Sequence, residues 1–222
     1  MHVVIAGGHG KIALLLERLL TQRGDTATGL IRNPDHVGDL EAVGAQAVVL
    51  DLEKSSVDDV AAQLRGADAV VFAAGAGPGS GEARKQTVDR DAAILLADAA
   101  EAAGVGRYVM VSAMGAHADI QPDDDVDVVF AAYLRAKAEA DRDVSARAGL
   151  TTTIVRPGGL TDDPGTGRVR IAASTGRGSI PRADVAAVLA AVLDTPASGG
   201  QTFELIEGDT PVDDVVAALA QG

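Results

Sequence analysis

The chain predicts an α/β fold, a doubly wound and mostly parallel sheet with helices on both faces, and three observations carry that expectation. Short apolar runs alternate with longer amphipathic stretches along nearly the whole length, the pattern of repeated strand and helix units. The run from Asp68 to Ala74 is almost entirely small or apolar, as a strand covered on both faces must be. The first twenty-odd residues, HVVIAGGHGKIALLLERLLTQRG, pass from an apolar strand through a glycine cluster into an amphipathic helix. With 222 residues, 47% of them hydrophobic, the chain is long enough for one well-buried domain and short for two. One domain over 1–222, without a separate substrate domain, is therefore expected.

Taking the elements in order, His2 to Ala6 form the first strand, and Gly7, Gly8 and Gly10 make the turn. Ile12, Leu15, Leu16, Leu19 and Leu20 recur at helical spacing. The need for glycine there is steric. Gly7 permits a sharp exit from the strand, Gly10 has no Cβ to hold the backbone away from a pyrophosphate, and Ala13 lets the helix pack closely. The helix N-terminus then aims unpaired N–H groups, with about half a positive charge, at phosphate oxygens. Two registers fit, Gly8-x-Gly10-x-x-Ala13 and Gly7-x-x-Gly10-x-x-Ala13, and spacing alone does not separate them. Either one points to a dinucleotide.

Thr26 to Ile31 form the second strand, which ends at Arg32-Asn33-Pro34. At this place a carboxylate would accept from a ribose 2′-hydroxyl, whereas an arginine forks onto a 2′-phosphate. Arg32 therefore favours NADP, with NAD the weaker candidate. A short helix over 35–43 and a third strand over 46–50 come next, ending in Asp51-Leu52. Ligands of open α/β sheets bind at the carboxyl ends of strands, so Asp51 is placed to accept from an adenine amino group and Leu52 to pack on the ring. Asp51 could equally cap the next helix, which begins at Ser55 or Ser56.

The fourth strand runs into GAGPGSG, a glycine-rich loop expected to lie over the cofactor or simply to connect. A long helix is predicted from Glu82 to Gly104, and a fifth strand from Arg107 to Ser112. The acidic run from Gln121 to Asp127 lacks the spacing of a calcium loop and reads as solvated, so no metal is expected. A helix over 128–148 carries Tyr133 and Lys137, and a sixth strand over 151–155 leads into Arg156-Pro157-Gly158-Gly159-Leu160. A short strand over 169–172, a helix over 182–193, a strand over 201–206 and a helix over 212–220 complete the chain. Pro181 and Pro211 stand at helix starts, where the missing N–H costs nothing.

Net charge −13 argues against nucleic-acid phosphate or an anionic membrane as partner, because the mean field repels both. Any anionic ligand must be held by local donors. The chain has no cysteine, which removes disulfides and thiolate catalysis. Neither a signal-like N-terminus nor an apolar run of roughly 18 residues is present, so a cytoplasmic protein is expected, a monomer or homodimer with a small-molecule substrate.

Tyr133 and Lys137 lie four residues apart on one helix and share a face. An ammonium that close is expected to lower the phenol's pKa from about 10, suiting it to proton exchange with a carbonyl or alcohol. The same spacing also describes an ordinary surface pair.

Taken together, GGHGKIA at 7–13, Arg32, Asp51-Leu52, the Ala73-Ala74-Gly75 sequence, Val88-Asp89, YVMVSAMGA at 108–116, Tyr133-x-x-x-Lys137 and IVRPGGLTDDPGTG at 154–167 resemble the short-chain dehydrogenase/reductase superfamily. More narrowly they resemble its atypical NAD(P)-binding branch of epimerase/dehydratase-like proteins. The resemblance implies a Rossmann fold with strand order 3-2-1-4-5-6-7 and substrate loops within about 114–130 and 160–180. It implies that His9, Lys11 and Ile12 of the glycine turn, with Ala73, Ala74 and Gly75, contact the cofactor. Pro157, Gly158 and Leu160 would border the nicotinamide, and Ser112, Tyr133 and Lys137 would surround the reacting centre, Lys137 also holding ribose hydroxyls. In related members the catalytic hydroxyl falls on the second residue of a Ser-Ser pair. Here that residue is Ala113, and Asp89 replaces an asparagine. An NADPH-dependent reductase of a small carbonyl, quinone or similar acceptor is the expected activity. A cofactor-binding sensor without turnover and an epimerase-like enzyme are the alternatives.

Overall fold

The computed structural model describes residues 1–77, 79–123 and 126–219. Strand β1 (His2–Ala6) turns into helix α1 (Lys11–Gln22), followed by β2 (Thr26–Ile31), α2 (Val37–Ala42), β3 (Gln46–Val49), α3 (Val57–Leu64) and β4 (Ala69–Phe72). Next come α4 (Glu82–Arg84), a π-helical segment (Lys85–Asp91), α5 (Ala92–Ala103), β5 (Arg107–Val111), α6 (Val128–Ser145) and β6 (Thr151–Pro157). The last described third holds β7 (Gly159–Thr161), β8 (Arg168–Ala172), β9 (Ser179–Pro181), α7 (Arg182–Asp194), β10 (Thr202–Glu207), β11 (Thr210–Pro211) and α8 (Val212–Leu219).

The main sheet runs β3-β2-β1-β4-β5-β6-β10-β8-β11, parallel through β10 and antiparallel at β8 and β11. The expected order holds for the first six strands. In the seventh place stands β10, which pairs parallel with β6, and the two short antiparallel strands extend the edge beyond it. Strand β1 shows why both faces are covered. Val3 and Ile5 belong to the core shared with α1 and α7, while Val4 and Ala6 belong to the core shared with α3 and α5. Alternate residues of a strand point to opposite faces, so a fully apolar strand requires two helical layers.

Three local expectations are corrected. The helix expected over 82–104 is interrupted by the π-helical segment, whose wider turn brings Lys85, Val88 and Asp89 inside. Helix α6 ends at Ser145 rather than 148. Within the expected substrate loop 160–180, β7 and β9 form a small parallel pair of three residues each. Ser56 caps α3, exchanging hydrogen bonds with Asp59, so Asp51 is released from that duty. Pro78, Asp124, Asp125 and the expected helix end at Ala220 lie outside the described residues. Among the described residues no helix is long and apolar enough to cross a membrane.

Candidate active site

The glycine turn closes on itself. Gly7 and Gly8 both donate to Leu30 O, and Gly10 donates to Gly7 O at 2.8 Å. Gly7 has φ +81°, and a Cβ there would stand 2.6 Å from the Ala74 backbone. Glycine is thus required twice over, by conformation and by the approach of the chain leaving β4. Gly10 is the N-cap of α1 and supplies no side chain to fill the first turn. Among the described residues the N–H groups of Lys11, Ile12 and Ala13 have no protein acceptor, which fits this helix end to an anion.

A cleft of about 270 Å³ opens above the turn. Gly7, His9, Gly10, Arg32, Asp51, Leu52, Ala73, Ala74 and Gly75 all line it, so the structure brings together nine of the residues expected to hold a cofactor. Lys11 and Ile12 begin α1 beside it, but the Lys11 side chain turns away to Asp162 at 2.5 Å, and Arg182 holds the other oxygen of Asp162 at 2.6 Å. Asp51 takes an ion pair from Lys54 at 3.1 Å and a hydrogen bond from the Glu53 N–H. Partial burial pushes its carboxyl up, and those partners outweigh burial to hold it below the usual range.

Residues that the sequence did not single out complete this cleft. His36 lines it and stacks on His9, with centroids 3.5 Å apart. Glu53 accepts from Arg32 at 3.2 Å, Arg84 at 2.6 Å and Thr87 at 2.7 Å. Arg32 remains more than half exposed and keeps donors for a further acceptor.

Beyond the cleft, at the ends of β4 and β5, lies a buried polar cluster. Lys137 on α6 reaches Asp89 at 3.6 Å, Val111 O at 3.2 Å and Ala74 O at 3.5 Å. Asp89 also accepts from the Ala76 N–H at 3.3 Å, and its other oxygen, the one facing Lys137, has no hydrogen-bond partner among the described residues. One turn further along α6, Asp141 accepts from Ser112 at 2.8 Å and from Arg156 at 2.8 and 2.9 Å, all on one oxygen. Its second oxygen has no hydrogen-bond partner among the described residues. Asp141 was legible in one respect, since it comes four residues after Lys137 and must share its face.

Burial, reinforced by the charges of Asp89 and Asp141, pushes the Tyr133 phenol above its ordinary range. This overturns the expectation that Lys137 lowers it. The Lys137 ammonium is 5.9 Å from the ring centroid, is neutralised by Asp89, and is itself shifted down by burial. Tyr133 stays protonated. Its hydroxyl makes no hydrogen bond among the described residues, in contrast to Tyr108, which donates to Ala93 O at 2.9 Å.

Ser112 is engaged within the same cluster. Its hydroxyl hydrogen goes to Asp141, so it has none free to polarise an acceptor while that bond stands. Gly158 has a structural reason of its own, because a Cβ there would meet Gly178 O at 2.3 Å. Pro157 O accepts from the Met114 N–H at 3.0 Å, and Leu160 pairs with Ile180 across β7 and β9 with its side chain exposed.

The family model described as NAD(P)H-binding matches residues 7–196. The chain is 38% identical over 220 residues to the uncharacterized sugar epimerase YhfK of Bacillus subtilis (strain 168), covering 99% of this chain and 100% of the relative. A solved Bacillus halodurans structure, carried under the name of an NAD-dependent epimerase/dehydratase, superposes with TM-score 0.89 at 36% identity over 98% of this chain and 99% of the other. The Lactococcus lactis oxidoreductase ylbE superposes with TM-score 0.86 at 26% identity over 100% of this chain and 98% of the other.

Proposed function

Since the chain belongs to the NAD(P)H-binding family, we propose that it is an NADPH-dependent reductase of a small carbonyl, quinone or similar acceptor. The observation that carries this reading is the Tyr133 phenol, protonated, its hydroxyl without a hydrogen bond among the described residues, and next to the cluster that continues the coenzyme cleft. A bound reduced nicotinamide supplies hydride. Tyr133, which holds its proton at neutral pH, donates it to the acceptor's oxygen.

Lys137 fixes the ends of β4 and β5 relative to the π-helical segment through its bonds to Ala74 O and Val111 O and its pairing with Asp89. Its bond to Ala74 O, the longer of its two carbonyl bonds, is the one to exchange for a ribose hydroxyl. Ser112, Asp141 and Arg156 act as positioning residues that lock β5 and β6 to α6. The N–H groups at the start of α1 hold the pyrophosphate. Arg32 takes a 2′-phosphate by exchanging Glu53, which keeps Arg84 and Thr87, and this supports NADPH over NADH. Asp51 and Leu52 meet the adenine, and Pro157, Gly158 and Leu160 border the nicotinamide side.

The test is steady-state oxidation of NADPH, monitored by its near-ultraviolet absorbance, across aldehydes, ketones, quinones and flavins. Acceptor-dependent oxidation above background is expected in at least one of these classes. Coenzyme bound with no oxidation by any of them would identify a sensor instead.

A further inference from the structure

Among the described residues the buried cluster does not balance in charge. Lys137 faces Asp89 and Arg156 faces Asp141, which leaves Lys85, on the π-helical segment, over. Lys85 is nine-tenths buried. Its ammonium lies 5.4 Å from the Tyr133 ring centroid and donates to Gly77 O at 3.1 Å. Among the described residues no carboxylate stands within ion-pair distance of it. An ammonium taken out of water is costly unless a charge or a full set of acceptors meets it, and one carbonyl uses one of three donors. The chain's net charge of −13 makes such an unmatched buried cation conspicuous. Phe130 stacks on Tyr133 at 5.8 Å with 46% of its surface exposed, offering an apolar face.

We infer that Lys85 is the anchor for a carboxylate on the acceptor, so that the substrate class is an aromatic or apolar carbonyl compound bearing a small anionic group. This rests on the reductase reading. The anion completes the charge balance of the cluster, and its charge-assisted bond to the ammonium sets the reducible group against the Tyr133 hydroxyl. Phe130 receives the apolar body. A lysine serving only to tie Gly77 would support acid and ester substrates alike.

The test uses two pairs of probes, para-formylbenzoate and anthraquinone carboxylate, each with its methyl ester. Turnover is measured with NADPH, and binding is measured by calorimetry on NADP-loaded protein. Wild type should favour the acid over the ester by about tenfold or more. Lys85→Met should erase that preference, Lys85→Arg should restore much of it, and NADPH affinity should be the same in all three proteins. Equal binding of acid and ester by wild type, or binding of neither, overturns the proposal. So does a preference that survives Lys85→Met, or an NADPH affinity that falls with the preference. A preference seen in binding without any turnover leaves the anion site standing and refutes the reductase reading instead.

Discussion

Tyr133→Phe is expected to lower reductive turnover at least about a hundredfold, the usual contribution of a positioned proton donor, while leaving NADPH affinity nearly unchanged. The ring stays, so its stacking on Phe130 and its contact with both ammonium groups survive. Only the hydroxyl is lost, and among the described residues that hydroxyl has no hydrogen bond to forfeit. The loss should therefore fall on kcat rather than on coenzyme binding. The direction of the pKa shift sets the pH dependence. A phenol whose pKa is raised by burial keeps its proton as pH climbs through neutrality, so reduction by wild type should not decline between about pH 6 and 9 on account of this group. Unchanged turnover in the variant would mean that hydride transfer proceeds without Tyr133, as direct transfer to a flavin or quinone could.

Glu17→Gln should stabilise the protein at alkaline pH and do little at acid pH. Glu17 is fully buried in α1 beneath the glycine turn, and among the described residues neither carboxyl oxygen has a hydrogen-bond partner. Glycines at 8 and 29 make the space for it, since a Cβ on either would come within 3.0 Å of its Oε1. Burial pushes its pKa up from 4.5 to about 8. Between those values the unfolded chain ionises while the folded chain keeps the proton, so stability falls as pH rises across the window. Each pH unit is worth about 1.4 kcal/mol, so removing the group should gain roughly 2 to 4 kcal/mol near pH 8. Near pH 4, where both states hold the proton, a neutral amide replaces a neutral acid and the gain should vanish. Denaturant unfolding at the two pH values measures this, and parallel pH slopes for wild type and variant would contradict it.

The glycine turn was readable because its requirement is steric: a positive φ at Gly7 and an approach to Ala74 allow no other residue. Arg32, Asp51 and Ala73 to Gly75 were readable because they stand where parallel strands end, and the sheet gathers those ends into one cleft. The chemistry of Tyr133 was not readable in full. Spacing placed it near Lys137, but spacing carries no information on burial, which decided the sign of its pKa shift, or on Asp89, which neutralises the lysine from a distant part of the chain. Asp141 and Arg156 meet across α6 and β6, a pairing set by the fold alone. The π-helical segment escaped for a similar reason, because 82–104 satisfies helical periodicity and the extra residue per turn shows only where Lys85 and Asp89 turn inward. Strands β7 and β9 are three residues each, too short for any alternation to register.

Calorimetric titration of the purified protein with NADPH and with NADH bears most directly on the coenzyme cleft from which every other role is built. Saturable binding of one equivalent of coenzyme per chain is expected, tighter for NADPH, with Arg32→Ala removing most of the difference. Uptake of neither coenzyme at millimolar concentration would contradict the reading, because the free N–H groups at the start of α1 would then have no nicotinamide dinucleotide to hold.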